Sequence, residues 1–105
     1  MTNPKFQIHR GKDQQFYFRL IARNGRVVLR SEGYASRSSC EKGIRAVKAN
    51  VAKVERFHRK GSSDGQFYFT LTAANGEIIG VSERYTTKRG RDDGIQAVRR
   101  AVQRQ

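Results

Sequence analysis

A single cysteine is the sharpest scarcity in this 105-residue chain. With only Cys40 available, neither an internal disulfide nor a CxxC motif can be built, so a reducing compartment is the expected setting. Proline occurs once, at Pro4, and the junction Asn50-Val51-Ala52-Lys53 between the two halves has no Gly, Ser or Pro spacer, so two domains on a flexible linker are not expected. No apolar run approaches the ~20 residues that a membrane-spanning helix needs. Residues Met1–Phe6 lack an apolar core, so neither a leader nor an anchor is expected there, and the chain reads as cytoplasmic. P-loop, HExxH and GxSxG patterns are missing.

Acidic residues are the next scarcity, with 9 Asp+Glu against 22 Lys+Arg and a formal net charge of +13. Residues 1–52 carry 11 basic and 3 acidic groups (+8), and residues 53–105 carry 11 and 6 (+5), so the excess is spread over both halves. An excess of this sign points to an acidic partner such as nucleic acid. A well-solvated surface is the plainer alternative, because net charge specifies neither a fold nor a site.

What the chain does contain is one pattern written twice. Phe6–Val51 aligns without a gap on Phe57–Val102, 51 residues later, with identical residues at 18 of 46 positions. Such regularity requires both copies to fold alike. One copy alone is near the size at which a core becomes marginal, so the copies are expected to share one core in a single domain, 1–105, with repeats 6–51 and 57–102. A monomer would then act as an internal pseudo-dimer.

Gln15–Ala22 alternates, with Phe16, Phe18, Leu20 and Ala22 on one face and Tyr17, Arg19 and Ile21 on the other, the period of a half-buried strand. Asn24-Gly25 follows, a strong hairpin signal when read as a two-residue type I′ turn. That turn sets Leu20 opposite Leu29, Arg19 opposite Arg30, Ile21 opposite Val28 and Tyr17 opposite Glu32, with Val27 on the core face. The second copy gives Thr70 opposite Val81, Thr72 opposite Ile79 and Tyr68 opposite Glu83 around Asn75-Gly76, with Ile78 in the core. Lys5–Arg10 and Glu55–Lys60 read as first strands. Cys40, Ile44, Val47 and Val51 recur at helical spacing, as do Ile95, Val98 and Val102. Ser38 with Glu41 has the spacing of a capping box. Gly43 and Gly94 interrupt these helices at about 1 kcal/mol each, so close packing of the helix backbone is expected there.

The repeated pattern Phe-Tyr-Phe…Leu-x-Ala-x-Asn-Gly…Ser-Glu-x-Tyr…Gly-Ile-x-x-Val resembles that of the YegP family, small bacterial and archaeal proteins of unknown function, over nearly the whole chain. The resemblance implies an α+β fold: two tandem β-β-β-α repeats forming one antiparallel sheet with both helices on one face, pseudo-twofold symmetric. It carries over no catalytic or binding residues.

Two surfaces are candidates for binding. The outward sheet face presents Tyr17, Arg19, Arg30 and Tyr68, and two arginines directly opposite each other repel unless an anion lies between them. Aromatic stacking with phosphate contacts would make this a nucleic-acid platform; a Tyr–Glu cross-strand hydrogen bond under loops or another subunit is the structural alternative. The second candidate is the start of the second helix, where Arg84, Lys88, Arg89 and Arg91 cluster, with Arg99, Arg100 and Arg104 further along. A helix N-terminus with nearby arginines suits a phosphate, and a solvated helix face accounts for the same residues. His9 and His58 are not equivalent positions, Cys40 lies on the apolar helix stripe, and Asp92-Asp93 suits a helix dipole better than a metal. No enzyme activity, cofactor or metal is expected. The favoured reading is a binding module for nucleic acid or another polyanion; the alternative is a structural or protein-interaction module that uses the sheet face or an edge strand.

Overall fold

In a computed structural model, which describes residues 3–103, each copy folds as three strands and a helix. Arg104, expected on the second helix, lies outside the described residues. The first copy comprises β1 (Lys5–Arg10), β2 (Phe16–Ile21), β3 (Val27–Arg30) and α1 (Arg37–Asn50). A short 3-10 turn, Val54–Arg56, leads into β4 (Phe57–Gly61), β5 (Phe67–Thr72), β6 (Ile78–Val81) and α2 (Lys88–Gln103). The second copy's first strand thus begins at Phe57 rather than Glu55.

All six strands form one antiparallel sheet in the order β1-β2-β3-β6-β5-β4. The copies meet at the Arg30–Val81 pair, two positions 51 residues apart in sequence, so the pseudo-twofold axis passes through that pair. α1 lies on β1 and β2 and reaches across the seam to β5 and β6, while α2 lies on β5 and reaches β2 and β3. The result is one continuous core, with Phe18, Leu20, Leu29, Cys40 and Val47 from the first copy and Phe69, Leu71, Ile95 and Val98 from the second. Leu29 falls where the axis would bring its own counterpart against it, and the counterpart is Gly80. A Cβ built on Gly80 would lie 2.7 Å from Leu29 Cγ. Duplication within one chain has let a large residue and no side chain share a place that two equal residues would contest.

Many repeat-identical polar residues act on the backbone. Asp13 and Asp64 accept the Gln15 and Gln66 N–H groups at 3.0 and 3.1 Å. Ser31 and Ser82 accept the N–H of Phe18 and Phe69 at 2.8 and 2.9 Å. Tyr34 and Tyr85 stack on Phe18 and Phe69 and lie against the helix glycines, where a Cβ on Gly43 or Gly94 would come within 2.7 or 2.6 Å of the tyrosine Cζ. The close approach expected at those glycines is therefore to a tyrosine ring.

Three local expectations are corrected. The Asn-Gly turns have positive φ only at Gly25 and Gly76, not at both central residues, so they are not type I′. Instead Ala22 N–H donates to Arg26 O and Gly25 N–H to Ala22 O, closing a three-residue loop, and Asn24 Oδ1 accepts the Arg26 N–H. A bulge then restores the register, so Leu20–Leu29 and Arg19–Arg30 pair as expected while Ile21 faces Val27 and Thr72 faces Ile78. Val28 and Ile79 consequently enter the core, and Ile78 is exposed. The helix caps are Ser36, whose Oγ accepts the Ser39 N–H, and the equivalent Thr87, whose Oγ1 accepts the Gly90 N–H, rather than Ser38. Finally, Glu32-Gly33 occupies the stretch between the Phe18–Ser31 bond and the Phe16–Tyr34 bridge. One residue too many for regular pairing sits there, and neither Tyr17–Glu32 nor Tyr68–Glu83 forms a bonded pair: Tyr17 Oη donates to Asp13, and Glu83 accepts from Arg26.

Candidate functional site

Direct cross-strand partners point to the same side of a sheet, so the register assembles the outer face row by row. The central row runs Gln7–Arg19–Arg30–Val81–Thr70–His58 across all six strands. The pseudo-twofold exchanges Gln7 with His58, Arg19 with Thr70 and Arg30 with Val81. One half of the row is therefore cationic and the other half is small, neutral or titratable.

Arg19 and Arg30 stand directly opposite each other. Arg19 Nε donates to Gln7 Oε1 at 2.7 Å, and Arg30 is exposed. Among the described residues the ion pairs are Arg26–Glu83, Arg59–Asp92 and Arg91–Asp92, so neither member of the Arg19–Arg30 pair has a carboxylate partner. Like charges set opposite without a counter-charge are destabilising.

The rows beyond hold the tyrosines. Tyr17 pairs with His9, the two rings stacked at 5.6 Å, and its hydroxyl donates to Asp13. That bond holds the Asp13 carboxyl below the usual range and pushes the Tyr17 phenol up. Tyr68 pairs with Lys60, and the Arg84 guanidinium lies over its ring at 4.5 Å. Both rings thus have neighbours along their faces, which favours a charged platform over open base-stacking shelves. His9 and Lys60 were missed from sequence; each shares the outward parity of the tyrosine it pairs with, and that parity was legible once the strands were aligned.

The second candidate cluster divides. Arg84 belongs to the sheet face, whereas Lys88 and Arg89 are exposed on the first turn of α2, in the helical layer. Arg91, expected to be an exposed phosphate contact, is buried. Its guanidinium lies over Phe67 at 5.5 Å and reaches Lys60 O and Asp92 at 3.4 Å. It occupies the place that Cys40 fills in the first copy, so the apolar stripe draws its stem inward while the head finds partners. Cys40 is itself fully buried, and burial pushes its thiol up, away from the reactive thiolate. Asp92 pairs with Arg59 at 2.8 Å, an ion pair between β4 and α2 that explains it better than the helix dipole alone. Among the described residues no group of three or more His, Cys, Asp and Glu is arranged to hold a metal ion, and no helix is long and apolar enough to cross a membrane.

Residues 12–57 and 62–105 each match the model of the family described as "Domain of unknown function (DUF1508)". The chain is 46% identical over 94 residues to the UPF0339 protein YegP of Escherichia coli (strain K12), spanning 90% of this chain and 86% of that relative. It is 40% identical over 94 residues to the "UPF0339 protein in ptx operon 5'region" of Stutzerimonas stutzeri, spanning 90% and 85%. The solution NMR structure of the E. coli yegP protein superposes with a TM-score of 0.90 at 42% identity, covering 97% of this chain and 88% of that one. That of UPF0339 protein SO3888 from Shewanella oneidensis gives 0.89 at 34% identity, covering 96% and 86%.

Proposed function

The chain belongs to the YegP (UPF0339) family of tandem DUF1508 repeats, and from that premise we propose that it is a non-enzymatic binding module that holds nucleic acid, or a comparable polyanion, on the outer face of its sheet. The Arg19–Arg30 pair carries this reading. Two arginines occupy directly opposite positions in mid-sheet and neither has a carboxylate partner, an arrangement that a bound phosphate would relieve. Lys5, His9, Lys60 and Arg84 lie exposed around them on the outward positions of β1 and β4 and beside Tyr68. Tyr17 and Tyr68 contribute polar edges rather than free faces. The natural setting of such a module is the cytoplasm, where polyanions are abundant and Cys40 stays reduced.

The rival reading, a protein-interaction module, draws on an apolar patch or an unguarded edge strand. The large apolar side chains counted as exposed among the described residues are Val54 and Ile78, too few for a docking patch. The edges β1 and β4 carry Lys5, His9 and Arg10, and His58, Arg59 and Lys60, charges and polar groups of the kind that discourage strand addition.

The test is binding to single- and double-stranded nucleic acid at a series of salt concentrations. Phosphate contacts should dominate and sequence preference should be slight. With about five phosphates neutralised on a duplex, affinity should drop on the order of several hundredfold between 50 and 200 mM salt. Changing Arg19 and Arg30 together to Ala should weaken binding and flatten the salt slope; changing Lys88 and Arg89 should do so only if the helix end takes part. Absence of binding to any nucleic acid at low salt, or binding indifferent to Arg19 and Arg30, would remove the sheet face from consideration.

A further inference from the structure

The second repeat has something on its outer face that the first lacks. Where Arg19 and Ile21 stand on β2, the equivalent β5 positions are Thr70 and Thr72. The shorter side chains leave a concavity of about 530 Å³ between β4, β5 and the Ala73–Gly76 turn. Thr70 and Thr72 are buried at its floor, and its walls include Arg56, His58, Lys60 and Ile78, with Glu55 as the one carboxylate.

Three observations converge on an oxyanion. First, Arg56 Nε is buried without a hydrogen-bond partner, the one side-chain polar atom in that condition among the described residues. A buried, unpaired guanidinium N–H is costly, and an acceptor drawn against the guanidinium of this lining residue would offset that cost. Second, Thr72 Oγ1 donates to Arg56 O at 3.4 Å and lies 3.0 Å from His58 Nε2, contacts that hold the ring against the pocket floor. Third, the walls bring a guanidinium, an ammonium and an imidazole into one recess, against a single carboxylate. A recess closed on one side by a hairpin suits a terminal group with three acceptor oxygens better than a diester backbone, which has to pass through.

We infer that this pocket binds a phosphate monoester, with Arg56 and Lys60 on its oxygens and Thr70 beneath. The site goes beyond the polyanion reading and, although the two share Lys60, does not depend on it, since Arg19 and Arg30 take no part. The same chemistry occurs at the 5′ end of a phosphorylated strand and in a free phosphorylated metabolite.

The experiment is an amide NMR titration of the full chain with inorganic phosphate, with a nucleoside 5′-monophosphate against its nucleoside, and with a short single strand bearing a 5′-phosphate against the same strand with a 5′-hydroxyl. Saturable shifts should centre on His58, Thr70 and Thr72 for the phosphorylated ligands and be missing for the nucleoside. Arg56→Gln should weaken binding at least about tenfold, the loss of one charge-assisted bond. Thr72→Ile, the first repeat's own residue, should close the pocket with the fold intact. Arg19→Ala should leave monophosphate binding unchanged, which separates this site from the sheet-face reading. A stronger response to the 5′-phosphorylated strand than to the mononucleotide assigns the site to strand ends; the reverse assigns it to a metabolite. Shifts spread evenly over Arg19, Arg30 and Lys88, equal response to nucleoside and nucleotide, or full binding by both Arg56→Gln and Thr72→Ile would overturn it.

Discussion

The two repeats agree inside and diverge outside. Phe18 and Phe69, Leu20 and Leu71, and Val47 and Val98 are buried alike, Asp13/Asp64 and Ser31/Ser82 accept equivalent backbone N–H groups, and Tyr34/Tyr85 stack on equivalent rings. On the outer face the counterparts Arg19/Thr70, Ile21/Thr72 and Arg30/Val81 differ in charge, size or polarity. At these positions identity between copies marks what holds the backbone, and difference on the outer face marks where a binding surface has room to specialise. A symmetric homodimer of single repeats would have to carry the same outer face twice. The fused chain is free of that constraint, and the Leu29–Gly80 contact shows the freedom extending to the core at the axis.

The largest expected effects test the likeness. Leu20→Ala and Leu71→Ala should each cost roughly 2–5 kcal/mol, and by similar amounts, because both are fully buried at equivalent mid-strand places. Chemical denaturation would measure both, and a gap of several kcal/mol would mean the repeats do not share the load evenly. Next comes the difference at the axis. Gly80→Leu should cost about 1–3 kcal/mol by overpacking against Leu29. Combined with Leu29→Gly, which exchanges the two residues across the axis, it should regain a good part of the separate losses. Strict additivity in that double-mutant cycle would show that the two positions do not compete for one space.

How much of this was legible in the sequence follows from the same division. Alternation in Gln15–Ala22, the fixed offset and the helical spacing of Ile95, Val98 and Val102 gave the strands, the shared core and the helices, because burial on one face leaves a period behind. The turn was misread because Asn-Gly serves a type I′ turn and a three-residue bulged loop equally well; only the sign of φ at Asn24 separates them, and that is not written in the dipeptide. The caps were missed because Ser36 and Thr87 differ in name while sharing a hydroxyl. Arg91 was misplaced because a cation in a basic run looks exposed, although its alignment with Cys40 pointed inward. The pocket beside Arg56 was invisible for a further reason: it is made by what Thr70 and Thr72 lack relative to Arg19 and Ile21, and a shortfall of volume has no motif.

A smaller effect lies in the first loops. Gln14 sits at φ 67°, where the equivalent residue is Gly65 at φ 81°. A side chain in the left-handed region costs on the order of 1 kcal/mol, so Gly65→Gln should destabilise by about that much. Gln14→Gly should stabilise by less, since glycine loses more freedom on folding. Opposite signs in thermal unfolding would bear out the comparison, and a harmless Gly65→Gln would mean that the second loop relaxes away from its glycine conformation.

The smallest effect concerns the ion pair that only the second repeat has. Arg59 and Asp92 join β4 to α2, where the first repeat has Ile8 and Glu41. The Arg59 bond and charge hold the Asp92 carboxyl below its ordinary value of 3.8, with Arg91 adding a smaller share. A carboxyl lowered in the folded state favours folding wherever it is ionised in both states, so its contribution is complete above the ordinary value and is lost as pH falls through the folded one. Asp92→Asn should therefore reduce stability near neutrality, and the gap from the unaltered chain should close below about pH 4. Both partners are nearly half exposed, at 45% and 46%, so solvent and salt screen the pair and the cost should stay within about 0.2–1 kcal/mol. Raising the ionic strength should shrink it further. A gap that persists unchanged at pH 3, or grows with salt, would show that the Asp92→Asn change disturbs packing instead. Truncating Ile8 to Ala in the first repeat should by contrast give a loss indifferent to both pH and salt, since the contact it removes is apolar.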